Sequence, residues 1–177
     1  IHAGMVMAKA STLFEIMSRD EVDPDEMMLH MNNDLFTTKT GGMFVTSILG
    51  KYNTVTEDIC WVNGGHQPAI IRDKNGNYEK FESNSPPLGV IFQKDKSAYI
   101  TNIKKLNNQR FYAFTDGLSE SFDEKGKEIG IEGSIKIIEN NYNQNLNKQL
   151  SNITKEVIKT ARDNKLSDDL TLLSIGK

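Results

Sequence analysis

Two acidic positions carry the chemistry this chain could do. They are Asp116, in the run Phe114-Thr115-Asp116-Gly117, and Asp168, in the run Ser167-Asp168-Asp169-Leu170-Thr171. Phe111 to Thr115 is aromatic and β-favouring, so it reads as a buried strand that stops at Asp116-Gly117. Leu170 to Ile175 reads as a second strand, entered through Asp168-Asp169. Laid antiparallel as neighbours, the end of one strand meets the start of the other, and both carboxylates come to one sheet edge. Carboxylates held together repel unless a cation lies between them, and hard oxygens suit a hard divalent ion. The pattern is that of a divalent-metal site at Asp116 and Asp168. Asp169 is the weaker of its pair, either a group behind the site or a turn residue.

The elements that must position these groups follow from turn and period signals. Ala3 to Met17 forms a helix that is apolar on almost every side, and such a helix is expected to be covered on both faces. Asp23-Pro24-Asp25-Glu26 starts a second helix, with Asp23 as cap and Pro24 in the first turn; Met28, Met31 and Leu35 form its stripe. Strands are expected at 43–49, 57–62, 69–71, 78–81, 97–103 and 109–115, with turns at Asn53, Asn63-Gly64-Gly65 and Lys74 to Asn77. Two helices follow, over about 130–142 and 145–162, the second periodic through Leu146, Leu150, Ile153, Val157, Ile158 and Ala161; a strand over 170–176 ends the chain. Successive hairpins argue for antiparallel sheets, and helices before and after them argue for outer layers. The expected class is α+β, an α-β-β-α sandwich of antiparallel sheets flanked by helices.

At 177 residues the chain reads as one domain, 1–177, with its own core. Its net charge of −3 and pI near 5.7 give no basic field for nucleic acid or an anionic membrane surface. No apolar run approaches the roughly 20 residues of a membrane span, so direct membrane insertion is not expected. Cys60, the single cysteine, sits in a strand-like run and reads as a buried reduced thiol of a cytoplasmic protein. The opening run Ile1 to Ala10 lacks an initiator Met and enters an apolar helix at once, so a preceding segment is expected in the parent protein.

The ordered set of motifs resembles the metal-dependent PPM/PP2C-type serine/threonine phosphatases, in the bacterial branch with the SpoIIE and RsbU regulators. The matching pieces are Ala3 to Met17, Phe44-Val45-Thr46, Trp61 to Pro68, Pro86 to Val90, Phe114 to Glu120 and Ser167 to Thr171. The resemblance implies a PP2C-like sandwich, here lacking the N-terminal strands, with two Mn²⁺ or Mg²⁺ ions at a sheet edge. It implies Asp116 and Asp168 as catalytic metal ligands and hydrolysis of phosphoserine or phosphothreonine. The implied partner is a phosphorylated anti-anti-sigma (STAS) protein in stress or developmental signalling, and the implied parent carries an N-terminal sensor or dimerisation domain. The family's first metal motif would precede Ile1, so the 177-residue chain alone is expected to bind metal weakly and turn over little. A catalytically degenerate interaction module of the same fold is the competing class. A metal-dependent nuclease is disfavoured by the missing basic patch.

Other candidates read more simply. His66 after Gly64-Gly65 is a turn histidine bonded near a sheet edge in preference to an acid/base. His30 belongs to a helix face, the methionines at 27, 28 and 31 to a core, and Pro86 to Gly89 to a rigid loop.

Overall fold

The computed structural model of the chain describes residues 2–38, 41–123, 125–160 and 168–176. Its elements are α1 (His2–Ser18), α2 (Pro24–Thr37), β1 (Ser47–Tyr52), β2 (Asp58–Gly64), β3 (Ala69–Arg72), β4 (Tyr78–Phe81), β5 (Asn102–Lys105), β6 (Arg110–Phe114), α3 (Asp116–Ser119), α4 (Gly130–Asn140), α5 (Leu146–Thr160) and β7 (Leu172–Gly176). The class is α+β, and every pairing between these strands is antiparallel. The chain forms two compact units, Ile1–His66 with Glu82–Lys105, and Gln67–Phe81 with Leu106–Lys177.

The first unit holds α1, α2 and the three-stranded sheet β1-β2-β5. Met28, Met31 and Leu35 do form the buried stripe of α2, joined by Met27, Val62, Leu88 and Tyr99. Asp23 does not cap as its type suggests. Its carboxylate turns to Lys51 Nζ at 3.2 Å, and only its backbone carbonyl serves the helix, accepting the Met27 N–H at 2.8 Å. The expectation that α1 is covered on both faces is corrected. Val6 and Ala10 are buried against the α2 core, whereas Met5, Met7, Phe14 and Ile16 stand 66, 57, 44 and 56 % exposed among the described residues.

Two strand boundaries also differ. The run 43–49 is spent partly on a single bridge, Val45 to Leu88, and the ladder starts only at Ser47. The run 97–103 is broken because the Asp95 carboxylate accepts the Ser97 N–H at 2.9 Å, winding Lys96–Ala98 into a 3₁₀ turn before β5. Cys60 lies in β2 as a free thiol but is half-buried, not buried.

The second unit holds the four-stranded sheet β4-β3-β6-β7, with α3, α4 and α5. Its β3–β4 hairpin closes at the Asn75-Gly76 turn, where the Asp73 carboxylate accepts the N–H groups of Asn75 and Asn77, both at 2.8 Å. Hydrogen bonds from Asn77 accordingly hold the Asp73 carboxyl below its ordinary range. Ile70, Tyr112, Phe114, Leu118, Ile138, Ile153 and Val157 form the core. The α5 stripe therefore serves as its period predicts; Ala161, at its expected end, lies outside the described residues.

At the start of β6 a polar knot ties the helices to the sheet. Arg110, 2 % exposed, donates from Nη1 to Gln149 Oε1 at 2.8 Å and from Nη2 to the Gln144 carbonyl at 2.7 Å. Arg72 donates to both oxygens of Glu139, at 2.8 and 3.1 Å. The Tyr142 ring takes both guanidinium groups, 3.7 Å from Arg72 Cζ and 4.8 Å from Arg110 Cζ.

Candidate active site

Asp116 and Asp168 lie at the end of β6 opposite this knot. Phe111, Tyr112 and Phe114 are buried, which fixes β6 as an inner strand, and its ladder with β7 runs from Arg110↔Gly176 to Phe114↔Leu172. One step further the pairing changes character. The Thr115 N–H still donates to the Thr171 carbonyl at 3.0 Å, but the Thr171 N–H goes to the Thr115 hydroxyl at 2.9 Å, not to a backbone oxygen. Thr115 then has φ −78° and ψ 164°, and the chain turns into the short helix α3, with Asp116 as its first residue.

The acidic segment is held against that turn. The Thr115 hydroxyl donates to the Asp169 carbonyl at 2.9 Å. A Cβ added to Gly117 would lie 2.4 Å from the Asp169 carbonyl oxygen, an approach only glycine permits. Asp168 uses Oδ1 to accept the Asp169 N–H at 2.7 Å. Behind them, the Ser121 hydroxyl donates to the Gly117 carbonyl at 2.6 Å.

The antiparallel convergence expected from sequence is thus present in the backbone: Asp116 and the Asp168-Asp169 pair occupy one edge. All three side chains are exposed, and none is in an ion pair with a described lysine or arginine. Ser167, the first residue of the acidic motif, lies outside the described residues. As donors the carboxylates fit a hard divalent cation such as Mg²⁺ or Mn²⁺. In number they fall short of a full cage, since the described residues contain no group of three or more His, Cys, Asp or Glu suited to a metal ion.

Two residues that sequence reading passed over, Thr115 and Gly117, set this geometry. The signal is the Thr-Asp-Gly run itself, of which a turn accounts for the glycine alone.

The loops flanking the β2 end are built separately, in the first unit. Asn63 Oδ1 accepts the His66 N–H at 2.9 Å, and His66 Nδ1 lies 3.2 Å from the Thr46 hydroxyl, an arrangement in keeping with a turn histidine. Gly65, at φ +69°, packs against Pro87, where an added Cβ would lie 2.4 Å from the ring. Asn32 and Asn33 on α2 grip the next stretch. Asn32 accepts the Gly89 N–H and donates to the Ile91 carbonyl, both at 2.9 Å. Asn33 accepts from the Gln93 N–H at 2.9 Å and donates to its carbonyl at 2.8 Å.

The family described as stage II sporulation protein E (SpoIIE) matches residues 1–176. The chain belongs to the SpoIIE family. Among curated relatives it is similar to the phosphoserine phosphatase RsbP of Bacillus subtilis, 21 % identical over 68 % of this chain and 30 % of RsbP. The chain therefore spans less than a third of that relative's length. Its fold matches the SiaA-PP2C domain of Pseudomonas aeruginosa, with a TM-score of 0.78 and 14 % identity over 99 % of this chain and 69 % of that one. It also matches the phosphatase domain of B. subtilis SpoIIE, from a manganese-presoaked crystal, with a TM-score of 0.61 and 17 % identity over 93 % of this chain and 70 % of that one. This SpoIIE-family chain has the fold of those PP2C phosphatase domains. No described helix is long and apolar enough to cross a membrane.

Proposed function

We propose that this protein is a metal-dependent phosphatase that hydrolyses phosphoserine or phosphothreonine on a regulatory protein, such as an anti-anti-sigma (STAS) factor. The reading covers residues 1–177 as one phosphatase domain of a cytoplasmic protein whose remaining chain carries a sensor or dimerisation segment. The observation that carries it is the joining of the Asp116 and Asp168 segments at one sheet edge by Thr115 and Gly117, in a chain of the SpoIIE family. Similarity to RsbP, a phosphoserine phosphatase, supports the substrate class.

Asp116 and Asp168 would hold Mn²⁺ or Mg²⁺ through their exposed carboxylates. When bound, such ions would supply positive charge for the phosphoryl oxygens and lower the pKa of water at the site. The residues themselves do three things. The carboxylates provide hard donors, Asp168 is held by the amide of Asp169, and the Thr115 hydroxyl keeps the two segments in register. Exposure of all three acids leaves the edge open to a bulky phosphoprotein.

The test is hydrolysis of a small aryl phosphate by the full-length protein with and without Mn²⁺ or Mg²⁺. Turnover is expected only with added metal, and Asp116→Asn is expected to remove most of it. Unaltered turnover in that variant ends the reading. The lack of a three-donor group among the described residues favours a second one, a degenerate interaction module, which predicts no metal-dependent turnover at all.

A further inference from the structure

Thr115 occupies the N-cap of α3, where a threonine hydroxyl ordinarily accepts an N–H from its own helix. Here it makes no such bond. The hydroxyl reaches across to the chain entering β7, donating to the Asp169 carbonyl and accepting the Thr171 N–H, both at 2.9 Å. With the backbone bond from Thr115 N–H to the Thr171 carbonyl at 3.0 Å, three hydrogen bonds link the residue before Asp116 to the residues after Asp168. On the other side of Asp116, Gly117 lets the same Asp169 peptide approach to where a Cβ would lie 2.4 Å from its oxygen and 2.8 Å from its carbon. Asp116 is bracketed by two residues whose types are both dictated by one peptide of the partner segment.

We propose that Thr115 and Gly117 are positioning residues that set the separation of the Asp116 and Asp168 carboxylates, the hydroxyl bridging the two segments and the missing Cβ allowing their contact. This rests on the metal-dependent reading above. The bridge needs a group that donates and accepts at once from one short side chain, which a hydroxyl does and a methyl does not. Valine keeps the shape of threonine and loses both roles; serine keeps both roles and loses only a methyl.

The experiment compares Thr115→Val, Thr115→Ser, Gly117→Ala and Asp116→Asn in the full-length protein. Mn²⁺ affinity is read by water-proton relaxation, exchange of the Thr171 amide by hydrogen–deuterium NMR, and kcat and KM with an aryl phosphate. Thr115→Val is expected to weaken Mn²⁺ binding by about 10- to 100-fold, the range for groups that orient metal ligands. Its Thr171 amide should exchange roughly 10-fold faster, having lost its acceptor, and kcat should fall more than KM changes. Thr115→Ser should retain affinity and protection, and Gly117→Ala should weaken Mn²⁺ binding with the Thr115 hydroxyl intact. A merely structural threonine would lower the melting temperature of Thr115→Val and leave Mn²⁺ affinity at the parent value, which would overturn the proposal. Should that variant not fold, parent affinity in Gly117→Ala overturns it equally. Asp116→Asn separates the two levels. If it keeps parent Mn²⁺ affinity, the metal reading fails and takes this one with it; if it loses affinity while Thr115→Val does not, the positioning role alone is wrong.

Discussion

Replacing Glu139 by glutamine tests how α4 is fastened to its sheet. Glu139 accepts Arg72 on two oxygens, at 2.8 and 3.1 Å, and the Tyr78 hydroxyl at 2.5 Å. The Arg72 side chain is 9 % exposed and that of Glu139 is 43 %. Breaking a fully buried pair on one side costs about 3–5 kcal/mol, whereas an exposed pair contributes about 0–1 kcal/mol. This pair is buried at one end only, glutamine keeps one acceptor oxygen, and Arg72 keeps its Tyr142 ring, so the expected loss at neutral pH is about 1–3 kcal/mol. For a chain of this size that lowers the melting temperature by about 2–12 °C.

The same substitution carries its own control. The hydrogen bond from Arg72 holds the Glu139 carboxyl below its ordinary range, and burial only partly opposes it. A carboxyl depressed in the folded state contributes stability that is complete above its unfolded pKa and fades as pH falls through the folded one. The gap between parent and Glu139→Gln should thus be widest at neutrality and close as pH drops below the ordinary glutamate value of about 4.3. Urea midpoints at neutral and acid pH measure it. A gap under about 0.5 kcal/mol at neutrality, the size expected of an ordinary surface change, would refute the reasoning. So would a gap that stays constant into acid.

Two further outcomes follow from the first unit. Asn32→Ala removes a fully buried amide and its bonds to Gly89 and Ile91; a loss of about 1.5–3 kcal/mol is expected, with faster chymotryptic cleavage at the exposed Phe92, and an unchanged cleavage rate would contradict it. Burial pushes the Tyr99 phenol up to about 12, and its hydroxyl has no hydrogen-bond partner among the described residues. Tyr99→Phe is therefore expected to hold or raise stability, by up to about 1 kcal/mol, and to remove one late-ionising phenol from an ultraviolet alkaline titration; a destabilised variant would show a hidden partner.

Much of this fold was legible because local signals and burial agree. Phe111 to Phe114 is aromatic and lies inside, the Asn75-Gly76 turn closes its hairpin, and the α5 period points to one core. Reading failed where a polar side chain chose a distant partner over its local one. The Asp23 carboxylate serves Lys51 instead of its helix, and the Thr115 hydroxyl serves Asp169 and Thr171, ahead of β7. Neither choice leaves a mark in spacing. The Arg72–Tyr142–Arg110 stack was invisible for a similar reason, since its members come from two strands and an interhelical loop. At the candidate site, sequence shows that the segments carrying Asp116 and Asp168 meet at one edge, but not which residues fasten them together.

The grip of Asn32 and Asn33 on the stretch from Gly89 to Gln93 has a mechanical consequence. Both amides project from a helix, so the loop's backbone is referenced to α2 and not to its own turns. Phe36 on that helix and Phe92 on that loop, with ring centroids 6.3 Å apart, are then carried as parts of a single lever. A displacement of α2 is therefore expected to carry the Gly89 to Gln93 backbone with it through these four bonds.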